Sequence, residues 1–241
     1  MTVKRIALAG NPNTGKSTLF NTLTGLKQHT GNWPGKTVIH AEGSFQHNGE
    51  NYILIDLPGT YSLFSNSADE EVARDYIVFE QPDATLVVVD ATSLERNLNL
   101  VFQVLEMTEK VIVCVNLIDE AEKKGIQIDE KKLSLKLGVP VVKLSARNKI
   151  GIDLLLDTLE DMVKGKVITS LYRMNYSEEI EKKISEIETK IIGLFGAKLP
   201  TRWVALRLLE GDEKLVEKLL QYLDTKPSEV TANEIQFSVH S

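Results

Sequence analysis

Gly10-Asn11-Pro12-Asn13-Thr14-Gly15-Lys16-Ser17 follows the apolar run Ile6-Ala7-Leu8-Ala9 and leads into Thr18-Leu19-Phe20-Asn21-Thr22-Leu23. A short apolar strand, a glycine-rich turn and a helix beginning near Lys16 are the parts of a phosphate-binding loop. Gly10 and Gly15 let the backbone turn tightly, so that successive N–H groups point inward at phosphate oxygens. The helix N-terminus adds partial positive charge. Lys16 reaches the terminal phosphates, and the Ser17 hydroxyl is placed to hold Mg²⁺. Asn11, Pro12, Asn13, Thr14 and Thr18 complete the cradle. The loop alone names neither the base nor the purpose.

Outward from this loop, the first two-thirds of the chain alternates strands and helices. The pattern predicts strands over residues 5–9, 38–46, 52–56, 84–90, 111–116 and 141–145. Helices are predicted over 16–24, 69–79, 94–107, 129–137 and 152–163. His47-Asn48-Gly49-Glu50 reads as a hairpin turn, since Asn-Gly suits tight turns. The later strands are short and apolar throughout, as parallel strands covered on both faces are. The expected fold is α/β: a Ras-like phosphate-loop domain with a mostly parallel six-stranded sheet and helices on both faces. Ligands of such a sheet bind at the carboxyl ends of the strands. Beyond residue 170 the pattern turns helical. Ile180, Ile184, Ile187 and Ile191 recur at helical spacing after Ser177, and Gly193 and Gly196 mark an end. Further helices fit 201–210 and 213–223. The expected division is a nucleotide-binding domain over residues 1–168 and a small all-α subdomain over 171–241.

Three further stretches lie at strand ends. Asp56-Leu57-Pro58-Gly59 is placed to bind Mg²⁺ through a water at Asp56 and to meet the γ-phosphate at the Gly59 N–H. Thr37 is the best-placed hydroxyl in the preceding turn-rich loop for closing over Mg²⁺ and the γ-phosphate; Thr30 competes. Asn116-Leu117-Ile118-Asp119 offers a carboxylate that accepts from N1–H and the 2-amino group of guanine, a pattern adenine lacks. Ser145-Ala146-Arg147 offers a backbone N–H to the guanine carbonyl. Asn-x-x-Asp alone is a common turn or cap. The order and strand-end placement of all these elements point to GTP and GDP.

Catalysis is less fixed by these residues. Many GTPases carry Gln after the Asp-x-x-Gly glycine to orient the attacking water; here Thr60 stands there, and it is shorter. Intrinsic hydrolysis is therefore expected to be slow unless another group stabilises the developing charge. Asn13 has two readings: support of the turn, or an amide oxygen that shares a monovalent cation with the phosphates.

Composition limits the partners. The 241 residues are 42% apolar with a formal net charge of −6, which argues against broad affinity for nucleic acid. The single cysteine, Cys114, sits in an apolar strand and rules out an intrachain disulfide framework. No signal peptide is visible, and no apolar run approaches the roughly 20 residues that span a bilayer. The four histidines share no ligand spacing and read as scattered surface residues. Asp69-Glu70-Glu71 reads as carboxylates favoured at a helix start.

Taken together, these motifs closely resemble the cytosolic N-terminal region of the FeoB ferrous iron transport family. The resemblance is carried by residues 10–17, Gly31-Asn32-Trp33-Pro34-Gly35-Lys36-Thr37-Val38, residues 56–63 and residues 116–119, and Arg202-Trp203-Val204-Ala205-Leu206-Arg207-Leu208-Leu209-Glu210-Gly211-Asp212 resembles the family's helical domain. It implies a GTPase domain with a helical regulatory domain, joined to a polytopic Fe²⁺-carrying membrane region that these residues do not include. The fragment is then expected to be soluble, the cytoplasmic part of a prokaryotic inner-membrane protein; a homo-oligomer is compatible with this. The resemblance also implies K⁺ stimulation in many members, with the cation held by Asn13 and by backbone carbonyls of Gly31 and Trp33. Two other readings compete: a potassium-dependent GTPase of ribosome or tRNA maturation, and a binding module that senses GTP and GDP with negligible turnover.

Overall fold

The computed structural model describes residues 3–25, 28–33, 38–63, 67–170 and 176–224. The chain divides into two compact units, Met1–Tyr172 and Arg173–Ser241.

The first unit is built on a seven-stranded sheet. Its strands are β1 (Lys4–Gly10), β2 (Gln28–Asn32), β3 (Ile39–His47), β4 (Glu50–Asp56), β5 (Ala84–Asp90), β6 (Val111–Asn116) and β7 (Val141–Lys143), arranged β2-β3-β4-β1-β5-β6-β7. The pairs from β4 to β7 are parallel, and β2 and β3 add antiparallel pairs at one edge. The expectation of six strands is corrected by β2. Gln28-His29-Thr30-Gly31-Asn32 has no apolar alternation because it lies at the sheet edge, held through its backbone to β3 alone. Such a strand buries no face and leaves no hydrophobic signal.

The helices of this unit are α1 (Lys16–Thr24), α2 (Ala68–Asp75), α3 (Leu94–Met107), α4 (Ile118–Lys123), α5 (Glu130–Leu137) and α6 (Ile152–Val163). The predicted helix over 69–79 changes character part-way: a π-helical stretch, Tyr76–Glu80, continues α2. Ser67 caps α2 by accepting from Glu70 N at 3.2 Å, and three carboxylates fill its first turn, as the helix dipole favours. The predicted strand over 141–145 ends at Lys143; Ser145 instead exchanges backbone hydrogen bonds with Ile150, both 3.1 Å.

Period-two alternation sends Ile6 and Leu8 of β1, Leu54 of β4, Leu86 and Val88 of β5 and Ile112 and Cys114 of β6 to one face. There they join Leu19 and Phe20 of α1 and Leu155, Leu159 and Met162 of α6 in one core. Buried Leu100, Val101 and Val104 line α3, which packs on β5 and β6. Each strand end that carries a motif is thus anchored in a fully buried row.

The second unit contains α7 (Glu178–Phe195), α8 (Thr201–Leu209) and α9 (Glu213–Asp224). Ser177 stands at the N-cap of α7, as predicted, but Gly193 lies inside the helix and Gly196 alone closes it. Ile184, Ile187 and Ile191 are buried together with Trp203, Val204 and Leu208 of α8. The Arg202 guanidinium grips Glu181 through two 2.8 Å hydrogen bonds. Among the described residues, no helix is long and apolar enough to cross a membrane.

Candidate nucleotide site

The motifs that begin at Gly10, Asp56, Asn116 and Ser145 fall at or just beyond the carboxyl ends of the parallel strands β1, β4, β6 and β7. β1 ends at Gly10 and passes through a buried Asn11 into Asn13, whose φ of 66° is left-handed, and then Gly15 at φ 81°. The Thr14 hydroxyl donates to Asn11 O at 2.9 Å and closes the turn. The glycines have steric reasons to be glycine. A Cβ on Gly10 would stand 2.7 Å from the Val88 carbonyl oxygen, and one on Gly15 would stand 2.3 Å from Asn116 Nδ2. Gly15 leads directly into α1, so the loop amides and the helix N-terminus face one place.

Lys16 is buried. Its ammonium donates to Leu57 O at 2.7 Å and forms an ion pair with Asp56. Burial pushes the Asp56 carboxyl above its ordinary value, while the Lys16 charge pulls the other way. The lysine expected on terminal phosphates and the carboxylate expected near Mg²⁺ therefore hold each other. Ser17 and Thr18, by contrast, are exposed at the start of α1.

After Asp56 the chain crosses back over the loop: Thr60 N donates to Gly10 O at 3.3 Å. The Thr60 hydroxyl turns into its own segment, donating to Ser62 O at 2.5 Å and accepting from Ser62 N at 3.2 Å. It is thereby committed to a local turn. Leu63 N donates to Gln103 Oε1 of α3 at 2.6 Å, and the Arg96 guanidinium lies 4.7 Å from the Tyr61 ring centre. Nothing in the sequence singled out Gln103 or Arg96, because their partners lie some tens of residues away.

The turn-rich loop around Thr37, here called the first switch, is described only in part, over residues 28–33 and from 38 onward. Gly31 lies in β2, opposite His40 of β3, and Trp33 N donates to Val38 O at 2.9 Å. The Trp33 ring makes edge contacts with His40 and Tyr76, with centroids 4.7 and 5.4 Å away. Thr37 lies outside the described residues.

The base side is more tightly built. Asn116, 1% exposed at the end of β6, donates from Nδ2 to Thr14 O at 2.9 Å and accepts at Oδ1 from Ala146 N at 3.0 Å. One amide thus joins three motifs distant in sequence. The Ala146 N–H is engaged by this contact, so it reaches a guanine carbonyl only as a shared donor. Leu117 sits at φ 63°, a conformation uncommon for a bulky side chain, at the N-cap of α4, whose first turn carries Asp119. Hydrogen bonding from Ser145, first among its causes, holds the Asp119 carboxyl below its ordinary value. Asn148 Nδ2 donates to Asp119 Oδ2 at 3.1 Å. Asp119 Oδ1 is shielded from solvent with no hydrogen-bond partner among the described residues. A shielded carboxylate oxygen with no donor fits a ligand that brings its own N–H groups. Asn148 was not foreseen; an Asn in a polar loop carries no signal until the loop is folded.

A family profile described as ferrous iron transport protein B matches residues 4–159. The chain belongs to the ferrous iron transport protein B (FeoB) family. A second profile, the FeoB cytosolic helical domain, matches residues 176–237. The Fe(2+) transporter FeoB of Methanocaldococcus jannaschii is 48% identical over 216 residues, 90% of this chain and 32% of that protein. The chain spans about a quarter to a third of the length of the curated FeoB relatives it matches. Among solved structures, the cytosolic domain of the T. maritima FeoB iron transporter in a GDP form superposes with a TM-score of 0.81. It is 35% identical and covers 100% of this chain and 96% of that one. The G domain of the same T. maritima FeoB is 44% identical with a TM-score of 0.63, covering 67% of this chain and 99% of that one. The fold is thus that of a FeoB G domain, a member of the GTPase family, with the FeoB helical domain. Membership in FeoB does not favour the reading as a ribosome or tRNA maturation GTPase.

Proposed function

We propose that this chain is the GTP-binding and GTP-hydrolysing part of a FeoB-type transporter, regulating or driving Fe²⁺ uptake by a membrane region of the same polypeptide. Residues 1–168 act as the G domain and 171–241 as its helical regulatory subdomain, on the cytoplasmic side of a prokaryotic inner membrane. The observation that carries the reading is Asp119 Oδ1, shielded and without a hydrogen-bond partner among the described residues, close in sequence to Asn116, which ties the phosphate loop to the base loop. The T. maritima relative in its GDP form supports guanine nucleotides as the ligand.

Guanine is read by Asp119, with Asn116, Ser145 and Ala146 shaping the loop around it. The phosphates rest on backbone N–H groups of residues 13–18 and on Lys16, which leaves Asp56 when a nucleotide enters. Ser17, Thr37 and Asp56 hold Mg²⁺, which supplies charge neutralisation on the phosphates. Gly59 meets the γ-phosphate through its N–H. Thr60, turned inward, has no reach to a water, so hydrolysis is slow without help. Asn13, with Gly31 and Trp33, holds K⁺, which supplies positive charge near the transferred group.

Asp119→Asn tests the base assignment. An amide can donate where a carboxylate only accepts, so preference should move from guanine to xanthine nucleotides in a competition binding assay. Retained GTP selectivity would refute it.

A further inference from the structure

The Asn48-Gly49 hairpin tip lies at the amino end of β4, and the phosphate loop lies at the carboxyl end of β1, its parallel neighbour. The tip is therefore at the far end of the sheet from the nucleotide site. There, Asn48 and Gly49 both adopt positive φ, 47° and 81°, and the turn sets His47 against α6. His47 Nε2 lies 2.8 Å from Asp157 Oδ1 and 3.8 Å from Glu160 Oε2. One donor atom from each of the three residues falls within 4.8 Å of the others. Asp157 and Glu160 are three residues apart on α6 and so share a face. His47 is 110 residues from Asp157 in sequence, so no spacing could have revealed the set.

The surroundings fix this arrangement. Asn48 Nδ2 donates to Glu160 Oε2 at 2.7 Å, and Lys164 pairs with the other oxygen, Oε1. These two contacts, Lys164 first, hold the Glu160 carboxyl below its ordinary value. Glu50 stands opposite His47 in the hairpin register. The charged neighbours are thus three carboxylates and one ammonium around a single imidazole, an excess of negative charge. The His47 and Glu160 side chains are 17% and 13% exposed, while Asp157 at 63% leaves a path for entry.

We infer that His47, Asp157 and Glu160 form a binding site for a first-row divalent transition ion, oriented by Asn48 and Lys164 and separate from the nucleotide site. Metal–ligand bonds of about 2.0–2.2 Å put two ligand atoms of a tetrahedral ion about 3.4 Å apart. The two separations from His47, 2.8 and 3.8 Å, bracket that value and the third lies within 4.8 Å, so side-chain shifts of about 1–1.5 Å close the set. An imidazole with two carboxylates suits Fe²⁺, Mn²⁺, Co²⁺ or Zn²⁺, whereas Mg²⁺ and Ca²⁺ prefer oxygen ligands alone. An ion there joins the hairpin to α6.

Calorimetric titration of the nucleotide-free chain with Zn²⁺, in excess Mg²⁺, tests the site. One Zn²⁺ per chain is expected, with anaerobic Fe²⁺ and Mn²⁺ binding at the same place more weakly. His47→Ala and Asp157→Asn should each weaken binding by about tenfold or more, and Asn48→Gly, which keeps the left-handed turn, by about tenfold as an outer partner. Thermal melts check that each variant is folded; should His47→Ala not fold, the exposed Asp157→Asn decides. No Zn²⁺ binding, or binding that Asp157→Asn leaves unchanged, overturns the inference. The cluster is then only a hydrogen-bonded ion pair between hairpin and helix.

Discussion

Asn116 Nδ2 donates to the Thr14 carbonyl at 2.9 Å, fastening the end of β6 to the phosphate loop 102 residues earlier. The same side chain accepts from Ala146 N, so phosphate binding and base recognition share one support. Asn116→Ala leaves two buried backbone groups without partners, at roughly 1–3 kcal/mol each. The expected loss of unfolding free energy is about 2–6 kcal/mol, measured by urea denaturation. GDP affinity should fall with it, because neither loop is then held to the other.

Two glycines of the site should respond in opposite ways to a methyl group. Gly15→Ala puts a Cβ at left-handed φ, against Asn116 Nδ2. Backbone strain alone costs about 1 kcal/mol, and displacement of Asn116 adds to it. GDP binding should weaken about tenfold or more. A Cβ on Gly59 meets only ordinary contacts near 3.7 Å. Gly59→Ala should therefore melt like the parent and keep GDP, and its defect should appear only in hydrolysis.

Asn13 is best tested with its backbone preserved. Its φ of 66° would strain alanine, so Asn13→Gly is the cleaner variant. GTP turnover compared in K⁺ and Na⁺ should be faster in K⁺ for the parent and equal in both salts for the variant. GDP affinity should barely change. An undiminished K⁺ advantage would remove Asn13 from the cation site.

Acid should loosen the helical unit in a defined window. The Arg202 guanidinium, with a further contribution from Tyr176 N, holds the Glu181 carboxyl down at about 2 from an ordinary 4.5. A carboxyl lowered on folding stabilises fully above its unfolded value and loses that contribution as pH falls toward the folded one. The α7–α8 contact should therefore weaken between pH 4.5 and about 2. Glu181→Gln should flatten this segment of the pH profile of helix circular dichroism under mild urea.

Residues that act through local pattern were legible in the sequence. The turn from Gly10 to Ser17, Asp56 to Gly59 and Asn116 to Asp119 all stand at the strand ends where short apolar runs placed them. Features made by distant pairing were not. β2 lacks an apolar face because an edge strand needs none. Asn148 and Gln103 acquire their partners only when loops and helices meet. The inward turn of Thr60 depends on Ser62 and on the crossing over Gly10, which residue type alone does not specify.

β2 meets the sheet along one side only. It carries Gly31 and leads to Trp33, so the first switch hangs from a border that the buried core does not need. Releasing it breaks one ladder of backbone hydrogen bonds and uncovers little hydrocarbon. Opening of this border is therefore a local event, costing far less than unfolding the sheet behind it.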